Sequence, residues 1–321
     1  MKFQRIAGVS GGKDSTALYL WLLDKGKPFR AVYADTGFES PITREYVLSL
    51  PDKTGGPPIE VIQADLSSQV LRKRANLPKR WAEQGVPGEK IAQALSVLLP
   101  TGVPFLDLCL ARGGFPSLKR RFCTDELKIR PFAEQVYGPL LDAGIMPISF
   151  QGLRRAESKA RSMRTLRGVS DDHGCLYRVC LPLLDWSVED VMEMHARHDI
   201  KPNPLYAQGF ERVGCWPCIN TRKSGIKALS LFAPEAIDQV EKWEALVNEI
   251  KPDGNSTFFM ARGLGRPGQI HYKTHGIREQ VEWAKTDRGG KQFPMFNQEG
   301  FEESESENAW QRQCSVYGVC E

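Results

Sequence analysis

A short loop between an apolar run and a helical pattern is the feature that most constrains this chain. Residues 3–9 predict a β-strand, and residues 16–23 have the apolar spacing of an α-helix. The six residues at the junction are Ser10, Gly11, Gly12, Lys13, Asp14 and Ser15. Glycine lets a backbone turn tightly and approach an anion, and the first turn of a helix offers unpaired N–H groups. The order of strand, glycine turn and helix therefore predicts a phosphate-binding loop.

The side chains of this loop indicate how it would bind a ligand. Lys13 supplies positive charge, and Ser10 and Ser15 supply hydroxyl donors. Phosphates would repel the carboxylate of Asp14 unless a metal ion stood between them, so Asp14 is predicted to bind Mg²⁺ or to cap the helix. The loop is not a Walker A motif, which has four residues between its first glycine and Gly-Lys. A solvated Gly-Gly turn is the alternative.

Strand patterns continue to alternate with helical patterns along the chain. They cover residues 29–34, 59–64, 146–151 and 177–184. This alternation predicts an α/β fold with a doubly wound, mainly parallel sheet. Arg161, Arg164 and Arg167 are spaced as on a helix, which predicts that the helix after the fourth strand continues through them.

Polar and charged residues follow two of these strands. Asp35 and Thr36 follow the second strand, and Arg154 and Arg155 follow the fourth. Open α/β sheets bind ligands at the edge formed by the carboxyl ends of their parallel strands. Asp35 and Thr36 are therefore expected to contact a nucleoside, with helix capping as the alternative for Asp35. The two arginines are expected to bind phosphates through their guanidinium groups.

Two segments depart from the alternating pattern. Residues 67–116 form an insertion, basic in its first part, which is expected to be a lid or a partner surface and to contain a helix near residues 91–99. After residue 230 the pattern becomes mostly helical and then polar. The chain is thus predicted to divide into a phosphate-loop domain, residues 1–229, and a C-terminal extension, residues 230–321, with a cysteine-containing tail.

The cysteines indicate a second centre of chemistry. The chain has eight, and without an export signal this favours metal binding or thiol chemistry over a disulfide framework. Cys215 and Cys218 form a Cys-x-x-Cys turn that can hold a metal ion or one edge of a cluster, although a thioredoxin-like redox pair has the same spacing. Cys123 is the first choice for a third ligand, because the surrounding cations favour its thiolate. Cys314 or Cys320 is expected to be a fourth ligand or a mobile nucleophile.

Composition limits the classes to which the chain can belong. No apolar run reaches the roughly 18 to 20 residues that a membrane-spanning helix needs. The N-terminus leads directly into a strand pattern rather than a signal peptide, so a cytoplasmic location is expected. The net charge of +4 indicates a mild preference for anions and does not by itself indicate nucleic acid.

Several strings resemble the PP-loop ATP pyrophosphatases and, within them, the phosphoadenylylsulfate (PAPS) reductase family. In chain order they cover residues 10–15, 35–41, 121–129, 184–191, 203–206 and 214–218. In style the chain is closest to the ATP pyrophosphatase of DNA phosphorothioation systems. The resemblance implies an adenine nucleotide alpha hydrolase-like fold with ATP and Mg²⁺ at the loop. It also implies a 4Fe–4S cluster bound by Cys123, Cys215 and Cys218, with Cys314 or Cys320 as the fourth ligand and Cys314 preferred.

The resemblance also implies a reaction. PAPS and APS reductases commonly carry a degenerate loop, whereas this one is intact, which favours an enzyme that splits ATP at the α-phosphate. Such an enzyme releases pyrophosphate and adenylylates an acceptor oxygen for sulfur transfer, with Lys13, Asp14, Arg154 and Cys320 as the expected catalytic residues. The acceptor stays open between a DNA phosphate, a tRNA base and a small sulfur compound. A sulfur-donor protein or a thioredoxin-like reductant is the expected partner.

Two other functions fit the same residues. The first is reduction of PAPS or APS to release sulfite, with Cys320 or Cys314 as the nucleophile. APS reductases pair two adjacent cysteines with Cys-x-x-Cys, and Phe122 stands here at the first of those two positions, which weakens that assignment. The second is a zinc-stapled module that binds nucleotide and nucleic acid without turnover. It predicts nucleic-acid binding that depends steeply on salt.

Overall fold

A central sheet organises the part of the chain described by the computed structural model, residues 2–117, 119–259 and 270–286. Its strands are β1 (Lys2–Gly8), β2 (Arg30–Asp35), β3 (Ile59–Gln63), β4 (Ile145–Phe150), β5 (Arg167–Asp172) and β6 (Cys175–Cys180). Their order across the sheet is β3-β2-β1-β4-β6-β5. β5 runs antiparallel to β6, and the other neighbouring strands are parallel. The predicted α/β fold with a mainly parallel sheet is confirmed.

The order of the strands changes direction at β1. This strand pairs with β2 on one side, where Ile6 lies opposite Arg30, and with β4 on the other, where Ile6 lies opposite Ser149. The chain therefore winds outward from β1 in both directions, as predicted for a doubly wound sheet. Such a change leaves a crevice at the carboxyl ends of the two central strands. The loops that follow β1 and β4 border this crevice.

Helices pack on the sheet and continue beyond it. The first are α1 (Lys13–Asp24), α2 (Pro41–Thr54), α3 (Ser67–Glu83), α4 (Gly88–Val97) and α5 (Pro104–Arg112). The composite helix α6 has consecutive α- and π-helical segments, namely Phe122–Thr124, Asp125–Ile129, Arg130–Phe132, Ala133–Tyr137 and Gly138–Asp142. The later helices are α7 (Lys159–Ser162), α8 (Val188–Arg197), α9 (Lys223–Phe232), α10 (Pro234–Glu249), α11 (Tyr272–His275) and α12 (Ile277–Lys285). None of the described helices is both long and apolar enough to cross a membrane.

Local signals explain where several helices begin and end. The hydroxyl of Ser187 accepts a hydrogen bond from the backbone N–H of Asp190 at 3.1 Å, and the Asp190 carboxylate accepts one from Ser187 N–H at 2.7 Å. This capping box begins α8, as the sequence predicted for Ser187. α2 and α5 end at Gly55 and Gly113, which adopt φ angles of 65° and 72° that glycine accommodates without strain.

Each face of the sheet has its own apolar core. Leu18 of α1, Val47 of α2 and Val191 of α8 pack in one cluster with residues of β1 and β2. Val136 of α6 and Tyr177 of β6 belong to the cluster on the other face. The helices that hold the predicted phosphate-binding loop are thus fixed by burial of apolar side chains against the sheet.

The insertion and the C-terminal helices share a further apolar core. Leu77 of α3 and Leu108 of α5 lie in one cluster with Val240 of α10 and Val281 of α12. The insertion contributes three helices, where the sequence pattern predicted a helical stretch near residues 91–99. The predicted boundary at residues 229 and 230 falls inside α9. The division of the chain into two domains stays a prediction.

The edge strand β5 corrects one prediction. The spacing of Arg161, Arg164 and Arg167 predicts a continuing helix, but α7 ends before Arg164 and Arg167 begins β5. β5 and β6 form a hairpin whose turn holds His173 at a φ of 52° and Gly174 at a φ of 77°. Two successive positive φ angles suit the twist of a tight antiparallel hairpin. The pairing of β5 with β6 therefore determines the conformation at Arg167, although the spacing of the arginines predicts a helix.

Candidate functional site

The loop after β1 has the geometry of an anion-binding turn. Gly11 adopts a φ of 77°, and a Cβ atom at this position would lie 2.7 Å from the Thr43 methyl group, so glycine is required there. Gly12 is extended and forms the N-cap of α1, whose first residue is Lys13. The N–H groups of the first turn of α1 therefore face the crevice beside β1.

The two serines close this loop. The Ser15 hydroxyl accepts a hydrogen bond from Ser10 N–H at 3.1 Å and lies 3.1 Å from the Ser10 hydroxyl. It also donates to the Gly12 carbonyl oxygen at 3.0 Å. The predicted loop residues are thus brought together in one compact turn.

The charges at the loop form a buried group of two cations and one carboxylate. Arg154 is 3% exposed, and its Nε atom lies 2.5 Å from Asp14 Oδ1. Lys13 is 1% exposed, and its Nζ atom lies 3.4 Å from Asp14 Oδ2. The sequence prediction that Asp14 caps the helix is wrong, because the N-cap is Gly12 and Asp14 lies inside the first turn. The net positive charge at a helix N-terminus favours an anionic ligand.

A second glycine explains how Arg154 reaches the loop. A Cβ atom on Gly152 would lie 2.6 Å from the Asp14 carbonyl oxygen. The chain that leaves β4 therefore passes directly against the backbone of α1, which only glycine allows. Arg154 follows two residues later and meets Asp14.

Two residues that carried no predicted role hold Lys13 in place. Tyr206 accepts a hydrogen bond from Lys13 N–H at 3.2 Å, and its ring centroid lies 5.6 Å from Lys13 Nζ. The Nε2 atom of the buried His195 lies 2.8 Å from the Lys13 carbonyl oxygen. Burial lowers the pKa of His195, which favours its neutral form. The resemblance included residues 203–206 without a role, whereas no sequence signal identified His195.

A short chain of hydrogen bonds joins the loop to the Cys-x-x-Cys turn. Asn203 Nδ2 donates to the Gly11 carbonyl oxygen at 3.3 Å and to Thr43 Oγ1 at 3.0 Å. Thr43 Oγ1 in turn donates to the carbonyl oxygen of Val213, two residues before Cys215. Asn203, Thr43 and the Val213 carbonyl oxygen are all buried. Their hydrogen bonds therefore hold the phosphate-binding loop and the Cys-x-x-Cys turn at fixed positions relative to each other.

Two of the residues expected to contact a nucleoside have other partners. Asp35 accepts a hydrogen bond from Gly37 N–H at 2.8 Å and lies 3.4 Å from Arg44 Nε. Thr36 donates its hydroxyl proton to Glu39 at 2.8 Å, and its Oγ1 atom lies 4.0 Å from Cys215 Sγ. The end of β2 thus contributes to the cysteine-containing centre, and the predicted nucleoside contacts stay predictions.

Arg155 does not join Arg154 at the loop. Its Nε atom lies 2.5 Å from Asp185 Oδ1, and its NH1 atom donates to the carbonyl oxygens of Ser162 and Arg164. These bonds tie the segment between β4 and β5 to the start of α8. The phosphate contact predicted for Arg155 stays a prediction, and Arg155 would have to leave these partners to make it.

The Cys-x-x-Cys turn lies beside the end of β2. Cys123 lies in the first segment of α6, and Cys215 forms a backbone bridge with Glu39. Burial raises the pKa of Cys123, and the charge of Cys218 raises it further. The charges of these thiols, that of Cys215 first, raise the pKa of Lys128. We call Cys123, Cys215 and Cys218 the thiol group.

The described residues hold no group of three or more His, Cys, Asp or Glu side chains that could bind a metal ion. Cys314 and Cys320 lie outside the described residues, so their predicted roles stay predictions. Lys128 and Glu39 belong to this centre but were not predicted as site residues. The cationic stretch around Cys123 includes Lys128, and this was the signal that could have identified it.

A basic groove of about 690 Å³ opens between α3, α5 and α6. Its cationic lining residues are Arg72, Lys73, Arg80, Arg112 and Arg130. Glu126, the acidic residue in that lining, pairs with Arg112 and also with Arg130 Nε at 3.1 Å. Lys73 donates to a backbone carbonyl, and burial lowers its pKa to about 8. Positive charge therefore exceeds negative charge along the groove.

Comparison with known proteins gives the family. Residues 4–221 match the phosphoadenosine phosphosulfate reductase domain. An uncharacterised 37.8 kDa protein of Escherichia phage 186 is 39% identical over 305 residues, which are 91% of each chain. An adenosine 5′-phosphosulfate reductase of Rhizobium meliloti is 30% identical over 114 residues, 35% of this chain and 40% of that protein.

One solved structure aligns with part of this chain at low identity. PAPS reductase from Candida auris is 17% identical, with a TM-score of 0.41 over 66% of this chain and 81% of that chain. The matched residues include most of the described sheet, and they also include the phosphate-binding loop, Arg154 and the Cys-x-x-Cys turn. This chain therefore belongs to the phosphoadenosine phosphosulfate reductase domain family.

Proposed function

We propose that this protein is an enzyme that uses ATP to adenylylate an acceptor oxygen for sulfur transfer. The observation that carries the proposal is the charge arrangement at the loop. Lys13 and Arg154 both contact the Asp14 carboxylate at the N-terminus of α1. A triphosphate and its metal ion require this combination of N–H donors, cations and one oxygen ligand.

The loop can stabilise the charge that develops during adenylylation. The acceptor oxygen attacks the α-phosphorus, the bond to the bridging oxygen breaks, and its electron pair leaves with pyrophosphate while the acceptor proton passes to solvent. Lys13, Arg154 and the N–H groups of α1 are preorganised donors for the leaving phosphates. A nucleophile whose sulfur has the oxidation state of hydrosulfide then attacks the activated acceptor and displaces AMP.

The donor atoms at the two centres are of the types that bind Mg²⁺ and iron–sulfur clusters in proteins. The Asp14 carboxylate is an oxygen donor at the loop and its side chain is 13% exposed, so it can exchange a cation partner for Mg²⁺. When bound, Mg²⁺ would neutralise phosphate charge. The thiol group offers soft ligands, and Lys128 offers a positive charge that suits an anionic cluster. When bound, a 4Fe–4S cluster would supply an electron-storing centre beside the end of β2.

The basic groove supports a nucleic acid as the acceptor. Its cations come from three separate helices and line the same groove. Glu126, in the lining of the groove, lies about one helical turn after Cys123 of the thiol group.

A sulfonucleotide reductase is the second candidate. The partial match to proteins named adenosine 5′-phosphosulfate reductase supports it. This reaction needs a cysteine nucleophile, for which Cys320 or Cys314 stays the prediction. It would release sulfite from a sulfonucleotide and would not release pyrophosphate from ATP.

One assay separates these functions. Protein purified without oxygen is incubated with Mg²⁺, radiolabelled ATP and an oligonucleotide, and both pyrophosphate and acceptor-bound AMP are measured. Lys13→Met should abolish both products, whereas Lys25→Met, at the other end of α1, should leave them unchanged. Sulfite release from APS or PAPS without pyrophosphate from ATP would instead establish the reductase. Bound zinc with neither activity would contradict both enzymes.

A further inference from the structure

We infer that the free edge of β5 pairs with the same edge of a second copy of this chain and forms a symmetric dimer. In the described part of the sheet, β5 is the end strand and pairs with β6 alone. An edge strand presents a row of backbone N–H and C=O groups that another strand can bind. The hairpin that carries this edge is held in place, because His173 Nε2 in its turn lies 3.0 Å from Asp125 Oδ1 of α6.

The hydrogen bonds around β6 show which backbone groups of β5 face outward. Leu181 N–H donates to the Leu166 carbonyl oxygen at 2.9 Å, just before β5 begins. The Cys180 carbonyl oxygen accepts from Gln151 N–H at 3.1 Å, on the side of β4. The backbone groups of successive residues point to opposite sides of a strand, so every second residue after Leu166 points to β6. The groups that point to the free edge are therefore those of Arg167, Val169 and Asp171.

The side chains of these three residues lie on one exposed face of the sheet. They alternate along β5, so they project from the same side. Val169 is 67% exposed, and Leu176, opposite Asp171 on β6, is 49% exposed. Arg167 and Asp171 are exposed as well, and within the described part of the chain neither has an ion-pair partner. Two charges and a patch of apolar surface are thus available to a partner.

The order of the charges along β5 is self-complementary. Arg167 lies two residues before Val169, and Asp171 lies two residues after it. When two copies pair in antiparallel orientation with Val169 opposite Val169, Arg167 of each copy faces Asp171 of the other. Opposite charges directly across an antiparallel pair stabilise the pairing, and like charges destabilise it. The sequence of β5 therefore fits a second copy of itself.

The backbone requires the same register. With Val169 at the two-fold axis, the outward-pointing groups of one copy face those of the other, whereas a shift by one residue would place them opposite groups that are bonded to β6. The Arg167 carbonyl oxygen accepts a hydrogen bond from the Thr165 hydroxyl at 2.8 Å and keeps a second lone pair for the partner strand. Charge and hydrogen-bond direction thus select one arrangement independently.

The arrangement is an isologous interface, in which both copies use the same surface. It joins two six-stranded sheets into one, with the two-fold axis perpendicular to the sheet. The phosphate-binding loops then lie at opposite edges of the joined sheet, so both crevices stay open. The competing explanation is that the charges only keep an unpaired edge from aggregating. Charges of one sign would serve that purpose better, because they repel a second copy in either orientation.

The test uses two charge reversals and their mixture. Sedimentation velocity over a range of concentrations gives the dissociation constant of the full chain as wild type, Arg167→Asp and Asp171→Arg. We expect a wild-type dimer and a dissociation constant raised about 10- to 100-fold in each variant, because both charge pairs become repulsive. An equimolar mixture of the two variants should dimerise like wild type, since each pair then joins opposite charges. Lys27→Asp, an exposed reversal before β2 with three strands between it and β5, should leave the dimer unchanged.

The mixture separates pairing from damage to the fold. Circular dichroism first establishes that both variants are folded. A dimer that returns on mixing supports the pairing of β5, because mixing cannot repair two misfolded chains. A wild-type protein that is monomeric at every concentration overturns the dimer. A dimer that neither reversal weakens, or folded variants that stay monomeric when mixed, would equally exclude this interface.

Discussion

Asn203 Nδ2 lies 3.0 Å from Thr43 Oγ1, and this bond is the middle link between the phosphate-binding loop and the Cys-x-x-Cys turn. Thr43 comes from α2, whereas Asn203 follows α8, so two distant parts of the sequence meet here. Because the link is buried, a change at either end has no water to replace the lost partner. The loop and the thiol group are thus positioned as one unit.

Removal of the Thr43 hydroxyl should destabilise the protein. Thr43→Val keeps the shape of the side chain but leaves the Val213 carbonyl oxygen without its donor and removes one acceptor from Asn203. We expect a loss of about 1–3 kcal/mol in the free energy of unfolding and weaker ATP binding. Urea denaturation and calorimetry measure the two effects. Thr165→Val, at an exposed position, is the control, and equal stability of the two variants would contradict the role of the link.

Arg154 and Arg155 should differ in their effects on nucleotide binding. Arg154→Met removes the guanidinium that lies 2.5 Å from Asp14, and we expect ATP affinity to fall about 10- to 100-fold, as for the loss of a charge-assisted hydrogen bond. Arg155→Met should change the affinity less than about twofold, because its guanidinium pairs with Asp185. Calorimetry with ATP and Mg²⁺ measures both. An equal loss for Arg155→Met would restore the phosphate contact that the sequence predicted.

The basic groove should bind single-stranded nucleic acid through its exposed cations. We expect the double variant Arg72→Glu with Arg80→Glu to weaken oligonucleotide binding and to lower the slope of log K against log salt by about 1.4, or about 0.7 for each phosphate contact. Lys79→Glu makes the same type of charge change on α3 outside the groove and is the control. Fluorescence anisotropy at several salt concentrations measures the slope. Equal effects of the groove and control variants would exclude a specific site.

Glu244 should make stability depend on pH. This buried carboxylate accepts hydrogen bonds from Phe258 N–H at 2.7 Å and Ile277 N–H at 2.8 Å. Burial raises the pKa of Glu244 from 4.5 to about 7, so between these pH values the folded protein holds a proton that the unfolded chain has lost. The contribution of this proton to the free energy of unfolding is fully present below pH 4.5 and is lost as the pH rises to about 7. We expect a loss of about 2 kcal/mol between pH 5 and pH 8.

The variant Glu244→Gln should remove that pH dependence. Its amide cannot ionise, although it accepts fewer hydrogen bonds and so is expected to be less stable at pH 5. Urea denaturation at pH 5 and pH 8 gives the difference for each protein. Glu235→Gln, an exposed change at the start of the same helix, should keep the wild-type difference. A wild-type difference in Glu244→Gln would show that other groups set the pH dependence.

The sequence predicted the elements that depend on local patterns. The phosphate-binding loop was predictable because Gly11 and Gly12 lie between a strand and a helix, and the start of α8 was predictable from Ser187. These features depend on backbone conformation within a few residues. The mainly parallel sheet followed from the same alternation.

The remaining features depend on contacts between distant residues. The pairing of Arg155 with Asp185 follows from how β4 and α8 pack, which no spacing in the sequence reveals. The hydrogen bond from Lys13 N–H to the Tyr206 hydroxyl likewise joins two distant parts of the sequence.

The apolar core shared by the insertion and the C-terminal helices has a consequence for dissecting this protein. A fragment that ends at residue 221, where the family match stops, would retain the entire sheet and the phosphate-binding loop. It would also leave Leu77 of α3 and Leu108 of α5 without their packing partners Val240 and Val281. Such a fragment would expose a new apolar surface and aggregate. Deletion studies on this enzyme therefore have to keep the chain through α12, even when the question concerns only nucleotide binding.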